Sequence, residues 1–223
     1  MSGLFRAKMK LVIFDLDGTL LNTLDDLAQA ANAALRACGF VERSVDEVRQ
    51  FVGNGVTKLL ERTLPEGQKN PENLARLKQA FFDYYNLHLW DQTRPYPGIE
   101  SLLETLQVRG IKLAIASNKY QRAVEELVAH FFPHISFAAV WGQREDIPTK
   151  PDPRMVHEIL RACDVSAADT LYVGDSAIDM QTAQNAGVRA CGVTWGFRPR
   201  EELAAYNPTL LADKAQQILD FLD

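Results

Sequence analysis

The chain has few cysteines, no long apolar run and no excess of positive charge. Its 223 residues include three cysteines, which lie far apart and form no C-x-x-C pair. This set excludes a disulfide scaffold and favours a reducing compartment, so we expect a cytoplasmic protein. No apolar run approaches the ~20 residues that span a bilayer, so we expect no membrane segment. Lys and Arg number 24 against 29 Asp and Glu, and the net charge of −5 argues against broad binding of nucleic acid.

The N-terminal segment does not have the pattern of a signal peptide. Met1–Lys10 contains three basic residues ahead of the apolar run Leu11–Phe14. That run is too short for the hydrophobic region of a signal peptide, and an aspartate follows it directly. We therefore expect a short surface segment that leads into a strand.

Most of the chain alternates between strand and helix patterns. Lys10–Phe14 is predicted as a buried strand, because Leu11–Phe14 is a continuous apolar run. Four further strands are predicted, at Ile111–Ala116, Phe137–Trp141, Thr170–Val173 and Arg189–Val193. The helices predicted between them are Glu100–Arg109, Gln121–Phe131, Pro153–Cys163 and Ile178–Ala186. This alternation predicts an α/β fold whose core is a doubly wound, Rossmann-like parallel sheet with helices on both faces.

One segment breaks the alternation. About ninety residues separate the first strand from the second, whereas a βαβ unit takes ~30 residues. The segment carries only helical patterns, namely a helix that Thr23 caps and Gly39 ends, Val45–Phe51, Val56–Leu64, and a helix from Pro71 through Tyr85. We predict an all-helical subdomain over residues 21–94, without strands, inserted into a core formed by residues 1–20 and 95–223. Arg94–Gly98 is the expected proline-rich hinge.

Two carboxylates follow the first strand directly, in the segment Asp15-Leu16-Asp17-Gly18-Thr19. Because side chains alternate along extended chain, Asp15 and Asp17 share one side. They lie at the carboxyl end of a parallel strand, where open α/β sheets bind ligands. Like charges this close need a cation or a shared proton, although a turn with solvated carboxylates remains the alternative.

A second acidic cluster follows the fourth strand, in Gly174-Asp175-Ser176-Ala177-Ile178-Asp179. Asp175 or Ser176 could serve only as a helix N-cap, and Asp179 only as an acid in the first turn. If the sheet brings this strand end beside the first, three or four carboxylates converge. Such a cluster is a hard-cation site of the magnesium type.

Two more loops offer groups that complement bound anions. The second strand ends in Ser117-Asn118-Lys119, a hydroxyl followed by an amide and a cation. Lys150 lies in a loop that Pro151 and Pro153 stiffen, which suits it to neutralise a bound anion better than an ordinary surface lysine.

These segments, in this order, resemble the haloacid dehalogenase superfamily of phosphotransferases. The matching motifs are Asp15–Thr19, Ser117, Lys150 and Gly174–Asp179, and the helical insertion resembles the type-one cap of that superfamily. An acid at Asp17 is typical of the phosphatases and phosphomutases, whereas the dehalogenase branch lacks it.

The resemblance implies a magnesium-dependent reaction through an aspartyl-phosphate. Asp15 would be the nucleophile, and Asp17 would be the general acid and then the general base. Ser117 and Lys150 would bind the transferred oxygens. Asp179 would orient Lys150 or a metal-bound water. The acidic residues expected at the Mg²⁺ site are Asp15, Asp17 (through its backbone carbonyl), Asp175 and Asp179.

Within the superfamily, three segments resemble the phosphoglycolate phosphatase group. They are Ser117–Lys119, the cap loop Phe51–Gly55, and Thr194–Phe197 with Glu201–Leu203 beyond it, whereas Asn22 departs from the Asp that many members have. The loop Gly53–Gly55 leaves backbone N–H groups open to an anion. The expected substrate-binding residues are Thr19, Gly53, Asn54, Gly55, Asn118 and Lys119. Five basic residues are weighed as ligands of a substrate carboxylate against a solvated role: Lys58, Arg62, Lys119, Arg198 and Arg200.

The expected function is hydrolysis of a small organic phosphate, with 2-phosphoglycolate as the first candidate. The partner is therefore a small-molecule phosphate ester, with no nucleic acid and no membrane, and the protein is a monomer or a homodimer. Two enzyme alternatives share the fold: a phosphomutase similar to β-phosphoglucomutase, and a sugar-phosphate or pyrophosphate phosphatase. A protein that binds phosphate esters without turnover is the alternative from another class, although it would have no need of Asp17.

Overall fold

The computed structural model describes residues 9–223, so the prediction for the first residues lies almost entirely outside the described chain. Its strands, in chain order, are β1 (Leu11–Phe14), β2 (Leu21–Asn22), β3 (Arg94–Pro95), β4 (Lys112–Tyr120), β5 (Phe137–Gln143), β6 (Thr170–Gly174), β7 (Arg189–Val193) and β8 (Leu210–Ala212). Six of them form one sheet in the order β5-β4-β1-β6-β7-β8, and every neighbouring pair is parallel. The chain winds outward from β1 in both directions, which confirms the predicted fold class.

The central strand β1 is buried on both faces of the sheet. Val12 and Phe14 belong to one hydrophobic cluster, and Leu11 and Ile13 belong to a second. The alternation follows from the two-residue period of a strand, which sends successive side chains to opposite faces. A continuous apolar run is therefore what a central strand between two layers of helices requires.

The helices are α1 (Leu24–Cys38), α2 (Val45–Phe51), α3 (Val56–Thr63), α4 (Pro71–Tyr85), α5 (Ile99–Val108), α6 (Gln121–Phe131), α7 (Arg154–Cys163), α8 (Ala177–Ala186), α9 (Arg200–Ala204) and α10 (Gln216–Leu222). The predicted helices agree with α1–α8 to within about one residue at each end, because their apolar stripes and caps are visible in the sequence. Among the described residues, none of these helices has the length and apolar character to cross a membrane.

Helices α1 to α4 lie between β1 and β3, in agreement with the predicted helical insertion. The expectation that residues 21–94 contain no strand is wrong. Leu21–Asn22 pairs antiparallel with Arg94–Pro95, so a short two-stranded ladder joins the outgoing and returning connections. Two residues per strand leave no alternation to detect, which is why the sequence did not reveal it. The limits of the inserted subdomain stay a prediction.

The predicted cap of α1 is wrong in its bonding. Thr23 does precede the helix, but its side chain makes no capping hydrogen bond. Its hydroxyl instead donates to Oδ1 of Asp17 at 2.7 Å. A threonine that donates to a carboxylate is directed away from the helix N–H groups, and this contact links the start of α1 to the loop after β1.

Candidate active site

The carboxyl edge of the sheet brings the predicted residues together. Phe14 and Val173 are register partners in β1 and β6, and Asp15 continues the ladder by donating its N–H to the carbonyl of Val173 at 2.9 Å. Because β1 and β6 are neighbours, Asp15 and Asp175 follow strands that end side by side. The condition on which the sequence argument for a shared acidic site depended is therefore met.

Three carboxylates form a compact cluster. One oxygen atom from each of Asp15, Asp175 and Asp179 lies within 4.8 Å of the others. Asp175 and Asp179 are buried, and the Asp15 side chain is only 13% exposed. Asp17 is outside this group, since its carboxylate binds Thr23 and Lys119.

The surroundings of Asp175 leave space for its carboxylate alone. A Cβ atom on Gly18 would lie 2.3 Å from Oδ2 of Asp175, and one on Gly196 would lie 2.3 Å from the Asp175 Cβ. The carboxylate accepts hydrogen bonds from the Phe197 N–H at 2.7 Å and the Thr19 hydroxyl at 3.3 Å. Thr19, predicted as a substrate ligand, is thus seen holding Asp175, and its contact with substrate stays a prediction.

The cluster lacks enough positive charge to keep its carboxylates ionised easily. Burial raises the pKa of Asp15 to about 7, Asp179 and Asp17 add to the rise, and Lys150 opposes it. Burial, followed by the charges of Asp179 and Asp15, also raises the pKa of Asp175 well above its ordinary value. A buried, oxygen-only cluster with elevated pKa values fits a hard divalent cation, which would supply the missing charge.

Lys150 contacts two carboxylates of the cluster, those of Asp15 and Asp179. Its ammonium group lies 2.7 Å from Oδ1 of Asp179, 3.0 Å from Oδ1 of Asp15 and 3.1 Å from the hydroxyl of Tyr172. Burial by itself lowers the pKa of Lys150, but Asp15 and Asp179 outweigh it, so its pKa lies well above the ordinary value. The lysine therefore stays charged. Tyr172 is a further residue of the site that was not predicted, since its only sequence signal is a hydroxyl in the apolar strand β6.

Asp179 is fully engaged by the protein. Its Oδ1 accepts from Lys150 and from Tyr172, and its Oδ2 accepts from the backbone N–H of Ser176 at 3.1 Å and from its hydroxyl at 2.6 Å. The Ser176 hydroxyl in turn accepts from the N–H of Asp179, which completes a capping box at the start of α8. The alternative role that the sequence offered for Ser176 and Asp179 therefore exists together with the contact to Lys150.

Asp17 forms an ion pair with Lys119. The ammonium group lies 2.9 Å from Oδ1 and 3.2 Å from Oδ2 of Asp17, and the Lys119 side chain is only 4% exposed. Burial lowers the pKa of Lys119. The charge of Asp17 and the neighbouring Tyr85 raise this pKa by a larger amount, so the net shift is upward. Lys119 is thus a permanent cation beside the predicted acid–base residue.

Ser117 and Asn118 lie on the same strand end as Lys119. The Ser117 hydroxyl accepts from the N–H of Lys119 at 3.2 Å and keeps its own hydrogen for another acceptor. The Asn118 amide donates to the carbonyls of Gly53 at 3.0 Å and Lys150 at 3.2 Å, and its oxygen accepts from the Lys150 N–H at 2.8 Å. Asn118 therefore joins the cap loop to the lysine loop, and its predicted contact with substrate stays a prediction.

The cap loop Gly53–Gly55 lies over the site. Gly55 has a φ of +80°, and a Cβ atom there would lie 3.1 Å from Oε1 of Gln143. Asn54 accepts a hydrogen bond from Arg62 at 2.9 Å. Arg198 reaches from the core to the end of α2, where it donates to the carbonyls of Arg49, Gln50 and Val52 at 2.6, 3.2 and 2.7 Å. Arg62 and Arg198 are therefore bound to protein oxygens, a role that no local pattern in the sequence indicates.

A cavity lies between the insertion and the core. Its volume open to water is about 50 Å³, enough for a few water molecules. The core contributes carboxylates, Ser117 and Lys119, whereas the insertion contributes mainly apolar side chains such as Leu27 and Leu59. This division suits a small anionic ligand whose charged end faces the sheet.

Known proteins share this sequence and architecture. The profile for the family "Haloacid dehalogenase-like hydrolase" matches residues 12–193. A phosphoglycolate phosphatase from Psychrobacter arcticus is 34% identical over 220 residues, which cover 96% of this chain and 95% of the relative. A crystal structure from Haemophilus somnus, of a protein assigned by prediction as a phosphoglycolate phosphatase, has a TM-score of 0.91 at 29% identity, covering 98% of this chain and 100% of that one. A variant of CbbY from Rhodobacter sphaeroides, solved with xylulose-(1,5)-bisphosphate, has a TM-score of 0.79 at 25% identity, covering 96% and 99%.

Proposed function

The chain belongs to the haloacid dehalogenase-like hydrolase family and is a phosphatase, and from this premise we propose that it hydrolyses 2-phosphoglycolate through an aspartyl-phosphate on Asp15. The observation that carries the proposal is the environment of this carboxylate. Its Oδ1 is held by the Leu16 N–H at 2.7 Å and by Lys150 at 3.0 Å. Its Oδ2 accepts no hydrogen bond from any described residue, which leaves that oxygen free to react.

In the first step, the free oxygen of Asp15 attacks phosphorus while the bond from phosphorus to the ester oxygen breaks. Asp17, whose carboxylate is paired with Lys119 before substrate binds, must first take up a proton, and it gives this proton to the departing alkoxide. In the second step, a water attacks the phosphoryl group and Asp17 takes a proton from that water. The bond between phosphorus and Asp15 then breaks, which releases inorganic phosphate and restores both aspartates. Ser117 binds the transferred oxygens through both steps, and Lys150 binds them by exchanging one of its contacts with Asp15, Asp179 or Tyr172 for the phosphoryl group.

The residues that would hold Mg²⁺ are Asp15, Asp175 and the backbone carbonyl of Asp17. A magnesium ion bound there supplies the charge that allows a phosphate dianion to approach an ionised aspartate. Asp179 acts on Lys150, because both of its oxygens already accept hydrogen bonds from the protein. The raised pKa values of Asp15 and Asp175 support a divalent cation at this position.

Three observations support a small, carboxylated substrate. The part of the cavity that is open to water has a volume of about 50 Å³, which suits a leaving group of a few atoms. Lys119 places a buried positive charge next to Asp17, where the leaving group departs. The relative from Psychrobacter arcticus is named as a phosphoglycolate phosphatase. A sugar phosphate is the second candidate, because the CbbY structure contains a sugar bisphosphate.

A panel of phosphate esters, assayed with purified protein in Mg²⁺ and in EDTA, tests the proposal. We expect kcat/KM for 2-phosphoglycolate to exceed that for glucose 6-phosphate by ~10-fold or more, which corresponds to ~1.4 kcal/mol. Activity should vanish in EDTA and return with Mg²⁺. Asp15→Asn should lose at least ~10³-fold in rate, whereas Asp25→Asn on the exposed side of α1 should keep the wild-type rate.

Each part of the proposal has its own contradicting result. Full activity in excess EDTA would exclude the metal. A preference for xylulose-1,5-bisphosphate, a hexose phosphate or pyrophosphate would refute the phosphoglycolate assignment and keep the phosphatase. Formation of an isomeric sugar phosphate without release of inorganic phosphate would identify a phosphomutase instead.

The compartment and the assembly state complete the proposal. Cys38, Cys163 and Cys191 carry free thiols, which supports the reducing cytoplasm as the place of action. A monomer and a homodimer are both compatible with the chemistry, because every residue named in it comes from one chain.

A further inference from the structure

Tyr85, the last residue of α4, has a buried hydroxyl that the reaction steps leave unused. Its side chain is fully buried and lines the cavity together with Asp17 and Lys119. The hydroxyl makes no hydrogen bond of good geometry with a described residue. A buried hydroxyl without a partner is rare, because removing it from water carries an uncompensated free-energy cost. A ligand in the cavity would supply the missing partner.

Three polar side chains, those of Asp17, Lys119 and Tyr85, follow one another from the core into the insertion. Lys119 lies 2.9 Å from Asp17, and the same ammonium group lies 4.9 Å from the centre of the Tyr85 ring. Burial raises the pKa of Tyr85 far above its ordinary value, although Lys119 opposes the shift. Tyr85 is therefore a neutral donor, next to a lysine that stays charged.

The ring of Tyr85 is fixed by its aromatic neighbours. It packs against Phe81 at 5.1 Å between ring centres and meets Tyr120 edge-on at 6.5 Å. Tyr120, the other tyrosine of the cavity, already donates its hydroxyl to Asn86 at 2.7 Å. Among the described residues, the Tyr120 hydroxyl has a hydrogen-bond partner of good geometry, whereas the Tyr85 hydroxyl has none and lies near the Lys119 ammonium group.

We propose that the Tyr85 hydroxyl and the Lys119 ammonium together bind the carboxylate of the leaving group. This inference rests on the proposed function, in which Asp17 protonates the ester oxygen. That oxygen must lie beside Asp17, and in 2-phosphoglycolate a single CH₂ group separates it from the carboxylate. The carboxylate then reaches the next two of these polar side chains, which are Lys119 and Tyr85. Tyr85 is a specificity-determining residue in this scheme, since it touches the part of the substrate that does not react.

The test compares two substrates that differ only in the distal group, 2-phosphoglycolate and ethyl phosphate. Tyr85→Phe should raise KM for 2-phosphoglycolate about 10- to 100-fold, the range expected for a lost hydrogen bond to a charged group, and should change kcat little. Its kcat/KM for ethyl phosphate should fall less than about threefold. Tyr120→Phe is the matched control, and it should change both substrates by the same factor. The Tm of Tyr85→Phe should not fall, because the hydroxyl makes no hydrogen bond of good geometry with any described residue.

The outcomes separate this inference from the proposed function. If the wild type prefers 2-phosphoglycolate and Tyr85→Phe keeps the preference, the role of Tyr85 is refuted and the function stands. If Tyr85→Phe reduces both substrates equally, the residue supports the fold or the cap and does not recognise the carboxylate. If the wild type shows no preference for 2-phosphoglycolate over ethyl phosphate, the carboxylate site and the substrate assignment both fail.

Discussion

Without a cation, the acidic cluster should make the stability of the protein depend on pH in an unusual direction. Burial, Asp179 and Asp17 raise the pKa of Asp15 from 3.8 to about 7, against the opposing charge of Lys150. Between these two values the folded protein keeps a proton that the unfolded chain has released. The free energy of unfolding of the metal-free protein should therefore fall as the pH rises from about 4 to about 7.

The size of the effect follows from the pKa difference. A rise from 3.8 to about 7 is roughly three units, and at ~1.4 kcal/mol per unit it corresponds to about 4 kcal/mol. This value is the largest loss that Asp15 alone can produce. A chain of this size shifts its Tm by ~2–4 °C per kcal/mol, so the loss corresponds to about 8–16 °C. A cation that binds the ionised carboxylates should restore this stability above pH 7, and at pH 5 it must compete with protons.

Thermal unfolding between pH 5 and pH 8, in EDTA and in excess Mg²⁺, measures the effect. The quantity of interest is the increase in Tm that Mg²⁺ causes at each pH, because surface groups that titrate in both conditions cancel in this difference. We expect a larger increase at pH 8 than at pH 5. Asp15→Asn cannot ionise at this position, so in EDTA at pH 8 it should unfold at a higher temperature than the wild type. Asp46→Asn, whose side chain is 88% exposed, is the control and should retain the wild-type profile.

Two results would refute this reasoning. If Mg²⁺ raises the Tm equally at both pH values, the cation does not bind the ionised cluster. If Asp15→Asn in EDTA shows the same pH dependence as the wild type, the proton responsible is not on Asp15.

Three further substitutions test the acid–base residue, the metal site and the contact between core and insertion. Asp17→Asn should be nearly inactive on alkyl phosphates but should show a burst with p-nitrophenyl phosphate, because nitrophenolate leaves unaided and only the second step then lacks its base; equal loss on both substrates without a burst in rapid quench would contradict this role. Gly18→Ala places a Cβ 2.3 Å from a carboxylate oxygen of Asp175, and it should raise the Mg²⁺ concentration for half-maximal activity by about 10-fold or more. Gly67→Ala is the control, because Gly67 has a similar φ of +81° and a Cβ there would have nothing within 4 Å. It should leave this Mg²⁺ concentration unchanged. Arg198→Met removes three hydrogen bonds to carbonyls at the end of α2, and it should raise KM more than it lowers kcat. Arg200→Met is the surface control. An unchanged KM in Arg198→Met would show that this contact does not position the cap loop.

The acidic residues were predictable because sequence and topology give the same answer for them. Asp15 and Asp175 follow apolar runs, and in a parallel sheet all such strand ends meet at one edge. What the sequence could not supply was that β6 lies next to β1, because that pairing joins residues that are far apart along the chain. The prediction of a shared site was therefore conditional, and the sheet order met the condition.

Other residues of the site were missed for a common physical reason. Tyr85 falls on the apolar stripe of α4 together with Leu77 and Phe81, so its periodicity indicates only a core position. Nothing in a period of 3.6 residues reveals that its hydroxyl lies near Lys119. Arg198 is similar, since its partners are backbone carbonyls, and these carry no side-chain signature. Such contacts depend on how the insertion rests on the core, which local patterns do not encode.

The end of β4 shows how one misplaced boundary concealed much of the site. The strand was expected to end at Ala116, because the apolar pattern stops there, yet it continues through the polar residues to Tyr120. It can continue because this part lies under the insertion and not in solvent, so Ser117, Asn118 and Lys119 are all buried. Along this extension, Asn118 binds the Lys150 and Gly53 loops, while Lys119 binds Asp17. Polar residues in an extended strand are stable only where each finds a buried partner, so the extension and the site that it serves depend on each other.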